Sequence, residues 1–262
     1  MTHVPAGQEV TKVERRGAAS WITLDSPGNR NALSPELLAE PLAHLEAAQA
    51  DDRVSCLVLT GNGPAFCAGA DLKSRGASIS VEGDEESPFV RILKLLCEGQ
   101  KPVVAGVNGH AFGGGIGLAA ACDVVVGAET ALFSFSEVRL GLVPATISVV
   151  VVPKIGVGQA RRLFLTGERF GAERALEYGL LHRVVPPEQL EAALEEEVAA
   201  ICKGGPHALA HAKELVRTVA AMPVSDAYVW TEDLIGRLFA SEEAAEGAAA
   251  FAARRPPRWD RD

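Results

Sequence analysis

The chain has 262 residues, of which 48% are hydrophobic and 23% are charged, and its net charge is −9 at neutral pH. A chain of this length buries about 70–75% of the surface that it exposes when unfolded, so a full core is expected. The acidity argues against a nucleic-acid partner, because such proteins need a basic face. The start of the chain is polar, and the longest apolar run, 143–152, is too short to cross a bilayer. We therefore expect a cytoplasmic protein that does not act on membranes.

The cysteines are odd in number and scattered along the chain. They are Cys56, Cys67, Cys97, Cys122 and Cys202. No C-x-x-C pair is present, so the spacing predicts neither a zinc site nor a redox motif. Reduced, mostly buried thiols are the favoured interpretation, and no metal is expected.

Along the first two-thirds of the chain, short strands alternate with helices. Strands are predicted over 21–25, 54–60, 103–107 and 123–126. The first helix is predicted to begin after Ser34, which is a suitable N-cap, with Pro35 at the first helical position. Because the strands are apolar on both faces, we expect an internal sheet that is covered on both sides.

The segment 77–87 is small, polar and acidic, and it predicts a loop. After Pro186 the pattern is almost wholly helical. Candidate helices are 188–203, 206–222, 225–239 and 242–254. We therefore divide the chain into a core domain, residues 1–186, and a carboxyl-terminal helical region, residues 187–262.

Two glycine-bearing segments, 65–73 and 108–118, are the most informative feature of the sequence. Each follows an apolar strand-like run, and the small residues leave backbone N–H groups uncovered. A helix is predicted over 114–121, and the N–H groups of its first turn have no intrahelical partner. Two such donors aimed at one point form an oxyanion hole, which indicates chemistry on a carbonyl such as a thioester. The glycines miss the dinucleotide-binding pattern, because Leu118 stands where its last glycine would be.

The motifs occur in a characteristic order. They are Asn29–Ser34, the segment 65–73, the segment 101–118, Cys122-Asp123, Phe135-Ser136-Glu137, Leu165-Thr166-Gly167 and the final 246–256 pattern. In this order they resemble the crotonase superfamily, also called the enoyl-CoA hydratase/isomerase family, over about residues 10–259. The resemblance implies an α/β fold, a spiral of ββα units with carboxyl-terminal helices that take part in oligomerisation. It also implies an acyl-CoA thioester as substrate, no further cofactor, and a homotrimer or a dimer of trimers.

The resemblance also implies roles for individual residues. The oxyanion donors fall on the backbone N–H groups of Ala70 and Gly114, which count among both the catalytic and the substrate-binding residues. The path of the adenine and pantetheine groups is lined by Ala68, Ala70, Asp71, Leu72 and Lys73. For Asp71 a structural role is favoured over a catalytic one. Arg30 and Lys73 are candidate contacts for the CoA phosphates, although exposed basic residues are more often only solvated.

The acid–base groups depart from the pattern of the family hydratases, which generally use two glutamates. The first of these positions is Gly117, and the second is Glu137. The neighbours Phe133 and Phe135 would partly desolvate the Glu137 carboxyl group, which raises a pKa and suits proton transfer. The alternative for Glu137 is a surface glutamate paired with Arg139.

A single glutamate leaves three explanations open. The protein could be an isomerase that moves a proton between two carbon atoms, or a hydratase in which Glu137 both activates water and returns the proton. Alternatively, a different group could substitute, either His110 or the acidic segment 82–86, although a structural His110 and a solvated segment are the commoner cases. The segment 136–148 resembles the methylglutaconyl-CoA hydratase-type branch, which favours a hydratase of a branched or functionalised enoyl-CoA.

Two further alternatives are weaker. The 4-chlorobenzoyl-CoA dehalogenase branch tolerates a glycine at position 117, but its nucleophilic aspartate would fall near Ala145. A homologue that binds acyl-CoA without catalysis is supported only by Gly117, and Glu137 speaks against it.

Overall fold

The computed structural model describes residues 9–71 and 86–260, which form two sheets surrounded by helices. The strands are β1 (Thr11–Arg16), β2 (Ala19–Leu24), β3 (Cys56–Gly61), β4 (Ala65–Cys67), β5 (Val103–Val107), β6 (His110–Phe112), β7 (Val124–Ala128), β8 (Leu132–Ser134), β9 (Arg169–Gly171) and β10 (Arg183–Val185). The helices are α1 (Pro35–Ala50), α2 (Pro88–Glu98), α3 (Gly114–Ala121), α4 (Ala145–Thr166), α5 (Ala172–Glu177), α6 (Leu190–Cys202), α7 (Pro206–Ala221), α8 (Val224–Phe239) and α9 (Glu242–Ala252).

The connectivity is a spiral of ββα units. The larger sheet has the order β1-β2-β3-β5-β7-β10, and the smaller sheet has the order β4-β6-β8-β9. Each turn of the spiral runs from the larger sheet to the smaller sheet and then into a helix, as in β5-β6-α3 and β7-β8-α4. All neighbouring strands are parallel except the pairs β1-β2 and β8-β9. The predicted α/β spiral is confirmed.

The larger sheet is covered on both faces, as its apolar strands predict. Alternate residues of β3 point to opposite sides: Leu57 and Leu59 join the main core, whereas Val58 joins a second cluster. In that second cluster Leu194 of α6 packs so closely on Gly106 that a methyl group there would lie 3.3 Å from Leu194 Cδ2 and nearer still to Cδ1. Helix α6 thus belongs to the packing of the sheet, and the domain division at residue 186 stays a prediction.

Several predicted elements match the structure closely, and some elements of the structure were not predicted. Helix α1 begins at Pro35, and the Ser34 hydroxyl accepts a hydrogen bond from the Leu37 N–H at 3.2 Å. Strand β5 and helix α3 have the predicted bounds. Strand β1 and helix α4 were not predicted. Helix α4 contains Pro153 and is kinked at Gly156, whose φ of 77° is non-helical, so its sequence shows no continuous helical pattern.

Lysine ammonium groups satisfy carbonyl groups near the ends of three helices. Lys101 donates to the carbonyl of Ala48 near the end of α1, and Lys154 donates to the carbonyl of Ala120 near the end of α3. Lys213 of α7 donates to a carbonyl of α2 at 2.6 Å and pairs with Asp123 at 2.7 Å. A cation at a helix carboxyl terminus complements the helix dipole. Because the Lys213 side chain is only 7% exposed, this pair also attaches the carboxyl-terminal helices to the core.

None of the five cysteines forms a disulfide, and three of them are buried. Burial raises the pKa of Cys67 to about 12 and the pKa of Cys122 to about 12. These thiols therefore stay protonated and serve as packing groups. Within the part of the chain that the structure describes, no helix is both long enough and apolar enough to cross a membrane.

Asn31 is the most highly connected buried polar side chain in the described part of the chain. Its Oδ1 accepts a hydrogen bond from the Ser26 N–H at 2.8 Å. Its Nδ2 donates to the carbonyl groups of Asn62, Ala65 and Phe66 at 3.0, 2.9 and 3.2 Å. Asn31 also has a φ of 54°, a left-handed conformation that asparagine tolerates better than most residues. It therefore fastens the turn before α1 to strand β4.

We expect Asn31→Ala to lower the free energy of unfolding by about 3 kcal/mol, because buried partners lose their hydrogen bonds and the left-handed backbone loses its tolerant side chain. Asn62→Ala is the matched control, since that exposed side chain donates a hydrogen bond to Asp25 at the surface. It should cost less than about 1 kcal/mol. Urea denaturation measures both changes, and equal losses would contradict this role for Asn31.

Candidate active site

The two glycine-bearing segments meet at the start of α3. A methyl carbon built on Gly69 would lie 2.6 Å from the Phe112 carbonyl oxygen and 3.3 Å from the Gly114 nitrogen. One built on Gly115 would lie 2.9 Å from Cys67 Cβ. Gly69 also has a φ of 84°, in the left-handed region that favours glycine. The segments can therefore approach this closely only because these positions lack side chains.

The backbone orientation places an N–H group from each segment at this junction. Ala70 forms a parallel bridge with Leu33, and the Leu33 N–H donates to the Gly69 carbonyl at 2.8 Å. In such a bridge Leu33 bonds to the residues that flank Ala70, so the Ala70 N–H points away from Leu33. Gly114 is the first residue of α3, where N–H groups have no intrahelical acceptor and the helix dipole is positive.

Glu137 lies against the residue that precedes α3. A methyl carbon built on Gly113 would lie 2.8 Å from Glu137 Oε1. The pairing of β6 with β8 sets this position, because the Gly113 N–H donates to the Ser134 carbonyl at 3.0 Å, three residues before Glu137. The Glu137 carbonyl in turn accepts a hydrogen bond from the Leu142 N–H at 3.0 Å, which holds the 3₁₀ turn 136–140 in place.

The environment of the Glu137 carboxyl group favours a proton carrier. Burial raises the pKa of Glu137, and a hydrogen bond from its own backbone N–H offsets part of that rise. Its Oε2 is buried and has no hydrogen-bond partner among the described residues. The alternative of a pair with Arg139 is wrong, because the Arg139 guanidinium donates to the Thr166 carbonyl at 3.3 Å instead. An unpaired, half-buried carboxyl group of this kind is typical of a general acid–base.

Position 117, where the resemblance implies a second glutamate, is instead surrounded by neighbouring hydrocarbon groups. A methyl carbon built on Gly117 would lie 2.9 Å from Ile147 Cβ, closer still to Ile147 Cγ2, and 3.7 Å from Phe89 Cζ. Sequence reasoning missed Ile147 and Phe89. A glycine in place of the expected glutamate is a signal that a neighbour fills the space, but the sequence does not reveal which one.

The remaining predicted contacts of the substrate lie along the first segment. The Ala68 N–H donates to the Arg30 carbonyl at 3.0 Å, so the backbone of Arg30 runs beside this segment, and the Arg30 side chain is exposed. Asp71 is partly buried at the end of the described segment. Leu72 and Lys73 lie outside the described residues.

The structure also describes two of the other candidate acid–base groups, His110 and Glu86. The His110 ring stacks on Phe112 with 5.8 Å between the ring centroids, and its buried Nδ1 has no hydrogen-bond partner among the described residues. Of the acidic segment 82–86, only Glu86 lies within the described residues, where it pairs with Lys94 on α2. Glu86 is therefore a solvated surface group.

The chain is similar to known proteins over nearly its whole length. The family model described as enoyl-CoA hydratase/isomerase matches residues 14–262. A Thermus thermophilus protein, named only provisionally as an enoyl-CoA hydratase, is 38% identical over 252 residues, which are 93% of this chain and 98% of that protein. The carnitinyl-CoA dehydratase of Escherichia coli K12 is 35% identical over 257 residues, 96% of this chain and 98% of that enzyme.

Solved structures show the same likeness. The crystal structure of an enoyl-CoA hydratase from Shewanella pealeana has a TM-score of 0.88 and 32% identity, and the match covers 95% of this chain and 96% of that one. The fold is that of the crotonase class. The chain belongs to the enoyl-CoA hydratase/isomerase family.

The contact between the two segments predicts a large penalty for Gly69→Ala. The new methyl group would combine left-handed strain with overlap on the Phe112 carbonyl. Gly17→Ala is the matched control, because Gly17 has a φ of 57° and open space around it. We expect Gly17→Ala to cost about 1 kcal/mol from strain alone, and Gly69→Ala to cost about 2 kcal/mol more. Denaturation of both variants tests this, and equal costs would show that the segments are not in tight contact.

Proposed function

We propose that the chain adds water to the double bond of a 2-enoyl-CoA thioester, or removes it in the reverse direction, with a branched or functionalised acyl group as substrate. The observation that carries the proposal is the position of Glu137: its carboxyl group lies against Gly113, immediately before the amino-terminal end of α3, where the two glycine segments meet. Family membership supports acyl-CoA as the ligand class.

The thioester oxygen is placed between the backbone N–H groups of Ala70 and Gly114. As water adds to C3, negative charge moves to this oxygen and an enolate forms. Donors already oriented toward that oxygen stabilise the enolate more than the ground state, which is the requirement for catalysis. Loss of one such donor costs about 3–4 kcal/mol in comparable sites.

Glu137 carries the proton in both directions in this scheme. Its carboxylate takes a proton from water while the water oxygen bonds to C3 of the substrate. The carboxylic acid then returns a proton to C2 of the enolate, so that one water molecule has been added and Glu137 is restored. The unpartnered Oε2 supports this double role, because no other described side chain competes for that oxygen. Arg30, exposed beside the first segment, and Lys73 are proposed as phosphate contacts for CoA.

An isomerase that moves the double bond is the second candidate. It is favoured by Gly117, because a single carboxylate suffices to carry a proton from one carbon to another. Turnover of enoyl-CoA substrates in heavy-oxygen water, followed by mass spectrometry, distinguishes the two. Hydration incorporates the label into a product that is heavier by one water, whereas isomerisation gives an unlabelled product of unchanged mass. Binding without any turnover would favour the non-catalytic homologue.

Glu137→Gln is expected to retain acyl-CoA affinity and to lose turnover. The amide preserves the size of the side chain but cannot accept a proton at neutral pH, and general acid–base groups contribute about 10²–10⁴-fold. Because no second carboxylate stands at position 117, the loss should reach the upper end of that range. Steady-state kinetics and calorimetry measure the two properties.

Glu86→Gln is the control for that variant, since Glu86 is ion-paired with Lys94 at the surface. It should keep the wild-type rate. A Glu137→Gln enzyme with more than about a tenth of the wild-type rate would overturn the assignment, and His110 would become the next candidate.

The activity should fall on the acid side with a midpoint above 4.5, the ordinary pKa of a glutamate, because burial raises the pKa of Glu137 and the free enzyme needs the carboxylate. The same shift predicts a stability effect. Because the folded pKa exceeds the unfolded one, stability is lost as the pH rises through the folded pKa. Wild type should therefore lose stability relative to Glu137→Gln above pH 4.5. A pH profile of kcat/KM and denaturation of both proteins across this range test the prediction.

We also propose a homotrimer or a dimer of trimers. An apolar groove of about 440 Å³ lies between α7 and α8, and nearby Val229 and Phe239 are 71% and 79% exposed. Leu234 of α8, by contrast, is buried within the chain. Exposed apolar patches of this kind usually mark contacts with other chains. Light scattering should give a mass of three or six chains, and a stable monomer at low concentration would refute the proposal.

A further inference from the structure

Three glycines at the start of helix α3, at positions 113, 114 and 117, are each covered by a side chain from another element. Gly113 is the residue before the helix and has a non-helical φ of 48°, whereas Gly114 and Gly117 lie three residues apart on one face of the helix. Glu137 covers Gly113, and Phe89 covers Gly114, the proposed oxyanion donor. Ile147 and Phe89 together cover Gly117. The Gly117 N–H donates to the Gly113 carbonyl at 3.1 Å, so Glu137 and Ile147 cover glycines that are one turn apart.

We propose that Ile147 determines the specificity of this site, by filling the place of a side chain at position 117 and presenting hydrocarbon to the acyl group. The inference rests on the proposed function and deepens it. It has two parts. Gly117 and Ile147 share one volume, so that only one of the two positions can carry a side chain. The acyl substituent next to Glu137 then packs on Ile147, which selects a hydrocarbon branch at C3 of a limited size.

Ile147 has little freedom to move out of this place. It is 3% exposed and lies in the first turn of α4, whose residues pack along α3. A β-branched side chain in a helix has one strongly preferred rotamer, so rotation about χ1 does not clear the space. A side chain at position 117 would therefore have to displace helix α4 itself.

The side chains around Gly117 favour a hydrocarbon substituent on the acyl group of the substrate. Ile147, Phe89 and Leu33 are all buried, and they form an apolar surface over Gly114 and Gly117. A polar group of the substrate placed against this surface would lose its hydrogen bonds to water without gaining new ones. A methyl or other alkyl branch loses nothing there and gains contact with Ile147.

The shared volume is tested by thermal melting of the intact protein. Alanine has a higher helix propensity than glycine, so Gly117→Ala should raise the melting temperature wherever there is room for the methyl group. We expect Gly117→Ala to lower the melting temperature by about 4 °C or more in the wild-type background. In the Ile147→Ala background the same substitution should raise it. In the Val151→Ala background, a matched control one turn along α4 with a fully buried residue, the decrease should persist.

The specificity is tested by calorimetry with two saturated thioesters, 3-methylbutanoyl-CoA and the bulkier 3-phenylpropanoyl-CoA, which need no turnover. Ile147→Ala should shift the ratio of the two dissociation constants about tenfold in favour of the bulkier ligand. Val151→Ala should leave the ratio within twofold of wild type.

Two results would overturn the inference. The first is that Gly117→Ala lowers the melting temperature equally in the wild-type and Ile147→Ala backgrounds. The second is that Ile147→Ala changes the ratio of the two dissociation constants by less than threefold. Failure of the proposed function would look different. In that case wild type would bind both thioesters and respond to the Ile147 substitution, yet would neither hydrate nor isomerise any enoyl-CoA.

Discussion

The contact between two backbone segments that lack side chains is the constraint on which the rest of this structure depends. Gly69, Gly114 and Gly115 allow the loop after β4 to rest on the first turn of α3. The ladder of β4, β6 and β8 and the four hydrogen bonds of Asn31 bring the segments to this separation. The proposed pair of backbone N–H donors requires this proximity, because a hydrogen bond weakens steeply with distance and angle.

The second constraint is the partial burial of a single carboxyl group. Desolvation raises the pKa of Glu137, so its proton is exchanged more readily near neutral pH than that of an exposed glutamate. The same burial costs stability once the group ionises, and no described cation offsets that cost. The packing of the main core, which includes Phe133 and Phe135, offsets this loss of stability. A carboxyl group that is destabilised in its ionised form by neighbouring hydrocarbon groups is suited to proton transfer.

The carboxyl-terminal helices combine firm attachment with an unburied apolar surface. Lys213 ties α7 to Asp123 and to the end of α2, and α6 packs on the larger sheet. Helix α8, in contrast, leaves Val229 and Phe239 in solvent. One side of this region is therefore packed into the chain, and the other side leaves apolar side chains exposed. This division follows from packing and not from the sequence boundary at residue 186.

The sequence by itself determined the local structure wherever a signal is contained within a few residues. The Ser34-Pro35 cap, the apolar strands and the helix after the glycines follow from such signals, and the order of the motifs identified the family. Glu137 was likewise singled out by its place in that order. Only the tertiary structure decided what lies beside each of these groups. Arg139 turns away from Glu137, and Ile147 takes the space above Gly117, because side chains distant in sequence meet only after α3 and α4 have packed together.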